Sequence, residues 1–166
     1  MRKEVFAMYR LASLRLLLPA LALGLLLTAC GGGSSAQQPY DPAAVSQALL
    51  DSDAFSEPLE EMDADTACGA LYRIDAQSVT GCAVYTSLTA GAEELAVLTL
   101  SDEEAAKTAL SALEQRVADQ KEALRSYQPE EVAKLDQAIV KQQGNSVLLV
   151  VAADQKAAQS VLDTLN

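Results

Sequence analysis

The chain carries one local pattern twice, and this repetition constrains its fold more than any other feature. Leu95 to Leu113 aligns without a gap on Val147 to Leu165 at an offset of 52 residues; Asp102/Asp154, Ala105/Ala157, Ala106/Ala158, Leu110/Leu162 and Leu113/Leu165 are identical. Each copy is a β-forming run, a polar capping position and then apolar residues at three- and four-residue spacing, the period of a helix face. A further β-rich run precedes each copy, Val79 to Leu88 before the first and Ala138 to Gln142 before the second. Gly144-Asn145 joins the second pair as a two-residue hairpin signal. The pattern predicts two ββα units in an α+β fold. Packing both helices on one face of a mostly antiparallel four-stranded sheet would bury every apolar stripe. A short helix over Ala43 to Leu50 comes first.

The helix after the first unit is the main one. Ser101 and Glu104 have the spacing of a Ser-x-x-Glu capping box, and Asp102 and Glu103 suit the positive helix end. Leu110, Leu113, Val117, Gln120, Leu124 and Tyr127 fall on one face, and Pro129 ends the pattern. Glu130 to Gln137 adds a further helical turn or two, and Asp154 to Leu165 forms the closing helix. Asp51 to Asp65 holds seven acids and no base. It lacks the ligand spacing and central glycine of an EF-hand, so it reads as a solvated connector, with Leu59 and Met62 touching the core.

Ahead of the domain lies a leader. Arg2, Lys3, Arg10 and Arg15 precede an apolar stretch from Leu16 to Leu27, which ends in Leu27-Thr28-Ala29-Cys30, a lipobox pattern. The stretch is shorter than the ~20 residues of a membrane-spanning helix. Residues 1–29 are therefore expected to be a cleaved signal peptide, and Cys30 the acylated first residue of the mature chain. Residues 30–39 form a flexible Gly/Ser tether, and 40–166 one extracytoplasmic domain. The leader holds four of the 12 basic and one of the 23 acidic residues, so the mature chain carries 8 bases against 22 acids, a net charge of −14. Such a charge repels nucleic acid and anionic headgroups. The membrane is thus a partner only through the lipid on Cys30.

The chain has no histidine and no tryptophan. These absences remove histidine triads, most catalytic zinc sites and the usual stacked sugar platforms. A serine nucleophile would need a lysine base, and no Ser-x-x-Lys stands in the chain. The reading is non-enzymatic, with no cofactor and no metal. Cys68 and Cys82, with thirteen residues between them, are a candidate disulfide in an exported chain; the alternative is two free, partly buried thiols.

The most distinctive polar set is Tyr72, Arg116, Gln120 and Tyr127. Gln120 interrupts an apolar stripe, and a buried amide is costly unless hydrogen-bonded. Either Arg116 and Gln120 read a ligand, Arg gripping a carboxylate or phosphate, or they bond carbonyls of the loop after Tyr127 and pin it. The second reading is favoured. Asp75, Tyr85 and Arg73 could extend a pocket around Tyr72, against a plain turn at Ile74-Asp75-Ala76 with half-buried tyrosines.

Four stretches carry a family resemblance: Leu71-Tyr72-x-Ile74-Asp75, Ala92-Glu93-Glu94-Leu95-Ala96-Val97, Arg116-x3-Gln120-x6-Tyr127-x-Pro129 and Gly144-Asn145-x-Val147. In order and spacing they resemble the clostridial lipoprotein family known as domain of unknown function 4358, over roughly residues 42–165. Two positions depart from that pattern: Arg73 stands where glycine is expected and Ser146 where an aromatic is expected. The resemblance implies a surface lipoprotein without an established activity, on the outer face of the cytoplasmic membrane of a Gram-positive bacterium. The function expected is a binding, accessory or scaffold domain contacting another envelope protein. The alternative is a small-molecule or glycan binding module using a groove near Arg116 and Gln120.

Overall fold

The computed structural model describes residues 38–165. Cys30, the expected signal peptide and most of the expected tether lie outside them. Along the chain run α1 (Pro42–Leu50), β1 (Leu59–Glu61), α2 (Ala64–Thr66) continuing into a π-helical turn (Ala67–Tyr72), a 3-10 turn (Ala76–Ser78), β2 (Val79–Ser87), β3 (Glu94–Leu100), α3 (Glu103–Leu124), α4 (Pro129–Asp136), β4 (Ile139–Gln143), β5 (Ser146–Val151) and α5 (Gln155–Thr164). The strands form one antiparallel sheet in the order β1-β2-β3-β5-β4. The class is α+β, and both hairpins expected from the sequence are present. Gly144 has the positive φ (56°) that the β4–β5 turn needs.

The sheet has five strands rather than the four expected. The extra one, β1, comes from the acidic stretch read as a connector: Leu59 pairs with Ser87 and Glu61 with Tyr85. Three residues are too few to show an alternating pattern. Glu60 and Glu61 are exposed on this border, a charged short edge that discourages pairing with another chain.

The helices lie on both faces of the sheet, not on one. β5 is buried along its whole length and β3 nearly so, and strands apolar on both faces need cover on both. One core joins Val84, Ala96, Leu98, Val147, Leu149 and Val151 to Ala106, Ala109, Leu113 and Val117 of α3, with Leu135 of α4 and Tyr72 of the π turn. The other joins Leu95, Val97, Leu148 and Val150 to Val45 and Leu49 of α1 and Ala158 and Leu162 of α5. Register explains the difference. Leu95 pairs with Val150 and Leu98 with Val147, so Leu95 faces α5 while its repeat counterpart Val147 faces α3. Residues related by the 52-residue offset therefore point to opposite faces, and each unit carries its helix to its own side.

Local chemistry sets the helix ends. Asp102, not Ser101, caps α3: its side chain accepts from the N–H groups of Glu104 (3.0 Å) and Ala105 (2.8 Å). Ser101 instead donates its hydroxyl to Asp102 at 3.2 Å. Asp41 and Asp154 cap α1 and α5 in the same way. The π turn closes on Arg73 at φ 56°, whose N–H bonds the Cys68 carbonyl. A left-handed residue there accounts for the glycine expected at this position. At the other departure, the Ser146 hydroxyl is buried and accepts from the Tyr40 N–H at 2.7 Å, docking the start of the domain against β5. Among the described residues no helix is long and apolar enough to cross a membrane.

Candidate functional site

Glu94 organises the candidate site. It opens β3 and is fully buried. The Tyr72 hydroxyl donates to its Oε1 at 2.9 Å, and Arg116 donates to its Oε2 through Nε (3.1 Å) and Nη2 (2.8 Å). β3, the π turn and α3 thus meet at one carboxylate. Burial, then the Glu94 charge and hydrogen bond, pushes the Tyr72 phenol well above its ordinary value. The structure brings Tyr72 and Arg116 together as the sequence grouped them, but through a residue the grouping omitted. Arg116 does not hold carbonyls of the loop after Tyr127; its partner is an internal carboxylate.

Gln120 and Tyr127 stand apart from this triad. With Arg116, Ala123 and Leu124 they wall a cleft of about 270 Å³ whose other side is Ser87, Ala90 and Gly91 of the β2–β3 turn. Tyr127 is 64 % exposed rather than turned inward, because α3 ends at Leu124, before the stripe reaches it. Gln120 is half-buried, and its Oε1 is shielded from water with no hydrogen-bond partner. Ala90 holds φ 58° in the turn opposite. Asp75 and Tyr85 do not join the cluster. Asp75 caps the 3-10 turn, and Tyr85 packs on the sheet face opposite Tyr72.

A second charged centre adjoins the first. Glu93, 1 % exposed, accepts from Ser56 N–H (2.9 Å), Ser56 Oγ (2.6 Å), Glu57 N–H (3.1 Å) and Lys134 Nζ (3.0 Å). Lys134 also pairs with Glu57 at 2.6 Å and Glu131 at 3.0 Å. Glu131 accepts from the Ala92 N–H at 2.8 Å, and Glu57 accepts from the Ser87 and Thr89 hydroxyls. Burial opposes charge on Lys134, but bonds from three carboxylates outweigh it and raise its pKa. Burial likewise opposes charge on Glu57, and Lys134, Ser87 and Thr89 outweigh it, lowering its pKa. A Cβ at Gly91 would collide with the Glu57 carboxylate, so glycine there makes room for the network. The signal for both centres stood in the sequence: two adjacent acids stand at the head of a largely apolar run, where charge survives only when paired.

Cys68 and Cys82 are free thiols. Burial raises both pKa values, that of Cys82 to about 11, so neither is a ready nucleophile at neutral pH. Among the described residues no group of three His, Cys, Asp or Glu side chains is placed to hold a metal ion.

The family model described as domain of unknown function (DUF4358) matches residues 53–152, from the loop before β1 to the end of β5. The chain belongs to the DUF4358 family. The match contains both buried glutamates, Tyr72, Arg116, Gln120, Tyr127 and Lys134, so both charged centres are built wholly within the DUF4358 domain. α1 and α5, which cover the second sheet face, lie outside it. No curated protein matches this DUF4358 chain. No solved structure matches it.

Proposed function

We propose that this DUF4358 protein is a clostridial-type lipoprotein, anchored through acylated Cys30 to the outer face of a Gram-positive cytoplasmic membrane. Its domain acts without chemistry of its own, as a binding or accessory module for another envelope protein. One observation carries the reading: the domain is polar along its strands. Its chain enters beside the β4–β5 turn, where Tyr40 bonds Ser146 and Thr99, at the Leu100 end of β3. Tyr127, 64 % exposed, lines the cleft at the opposite, Glu94 end, and Leu88, 60 % exposed, follows the lining residue Ser87 in the chain. The tether joins the domain at the Leu100 end, so the Leu88–Tyr127 end lies a strand length, roughly 20 Å, from the point of attachment. The charged groups beside the cleft support the same reading, since Arg116 and Lys134 are engaged by internal carboxylates.

The test is crosslinking in native membranes, with photoreactive residues at positions 88 and 127 and a control at position 38. One stoichiometric partner captured from 88 and 127 but not 38, and lost in Leu88→Glu/Tyr127→Glu at unchanged melting temperature, is expected. Recovery of the protein alone from all three positions overturns the accessory role. Acyl labelling that persists in Cys30→Ala overturns the anchor.

A second reading rests on the unpartnered Gln120 Oε1. A small polar ligand or glycan seated in the cleft would meet the Gln120 amide, and its binding would fall in Gln120→Leu while stability held.

A further inference from the structure

Cys68 and Cys82 line one pocket of about 400 Å³ between the α2–π segment (Ala64, Asp65, Cys68) and the first residues of β2 (Val79–Cys82). Strand alternation turns Cys82 the same way as Val84, toward the face on which Ala67 and Tyr72 pack, and Cys82 borders that core. The two thiols therefore border one pocket, Cys68 from the helical segment and Cys82 from the strand. Cys82 is partly accessible and Cys68 buried, the arrangement of an entry thiol and a resolving thiol.

We propose that Cys68 and Cys82 form a redox pair that closes to an intramolecular disulfide with a disulfide oxidant. The Cys82 thiolate attacks one sulfur of the oxidant, the oxidant's S–S bond breaks, and the first thiolate leaves and takes up a proton. The Cys68 thiolate then attacks Cys82 Sγ in the mixed disulfide and displaces the second thiolate, which is protonated in turn. The protein loses two protons and two electrons, and the oxidant gains them. The bridge would tie the π segment directly to β2. Cys68 is four residues from Tyr72, and its carbonyl holds the turn at Arg73 and Ile74. Oxidation therefore tightens the support of the Tyr72–Glu94 bond, on the wall beside the proposed contact end. The inference does not depend on the partner.

The test uses the reduced, full-length protein purified from membranes and oxidised glutathione at about pH 9, where exchange of weakly acidic thiols is fast enough to follow. Alkylation and peptide mapping then report Cys68 and Cys82 separately from Cys30. The expected product is monomeric, about 2 Da lighter, resistant to alkylation at both positions, and melts about 5–10 °C higher. In Cys68→Ser the glutathione adduct on Cys82 should persist, and in Cys82→Ser Cys68 should stay unmodified. Stable glutathione adducts in the unsubstituted protein, two alkylated thiols, or a disulfide-linked dimer overturn the proposal.

Discussion

At the scale of single residues, Glu93 and Glu94 show how a strand tolerates two buried charges. Each is paired with a cation from a different helix, Arg116 for Glu94 and Lys134, shared with Glu57 and Glu131, for Glu93, and each accepts further bonds from hydroxyl or backbone donors. Removing one partner is costly because the other charge stays buried. Lys134→Met should lower unfolding free energy by about 3 kcal/mol or more in urea titration. The network also sets a pH window. Glu57 is held below its ordinary 4.5, so its contribution is present above that value and is lost as pH falls through the depressed one. Lys134 is held above its ordinary 10.5, so its contribution is present below that value and is lost as pH rises through the higher one. Melting temperature should thus fall at the acid end in the unsubstituted protein, and that fall should be shallower in Lys134→Met. Gln120 behaves oppositely. Its Oε1 lacks a partner, so Gln120→Leu should be neutral or stabilise by about 1 kcal/mol, read from the same titration. A clear loss of stability would show that the amide is bonded in the protein.

At the scale of elements, an aspartate N-cap recurs before α1, α2, α3 and α5. Ser101 and Asp102 are adjacent, and either suits a cap by residue type; the bonds decide for Asp102. Asp102→Ala should therefore lower the melting temperature measurably and Ser101→Ala barely at all, by thermal unfolding. Reversal of that order would restore the capping box at Ser101. The long elements were legible in the sequence because periodicity and punctuation agree there. β3 matches expectation, α3 starts within a residue or two of it, and the Gly144-Asn145 turn is where the hairpin signal put it. β1 was not legible. Three residues in a run of acids carry no periodic signal, and only pairing with β2 makes them a strand. The same holds for Tyr127: continuing the α3 stripe assumed a helix that in fact stops at Leu124.

At the scale of the molecule, the sheet is a central layer with helices on both sides. The second side depends on α5, whose Ala158 and Leu162 cover Leu95, Leu148 and Val150 with α1. A chain ending at Ala153 would expose that face. It should aggregate or bind a hydrophobic dye when isolated, whereas helices on a single face would leave the second side solvated in any case. The cleft and the two exposed side chains at the Glu94 end, together with the chain entering at the Leu100 end, give the domain its direction.

The sequence by itself determined the repeated strand–cap–helix order, the α+β class, the hairpin turn and the grouping of Tyr72 with Arg116, because each rests on local periodicity or residue chemistry. Tertiary structure alone decided which face each helix takes, since a shift of one residue in the β3–β5 register moves every side chain to the other side. It alone decided that Arg116 serves Glu94, because the two residues, 22 apart in the chain, meet only when α3 packs across the sheet.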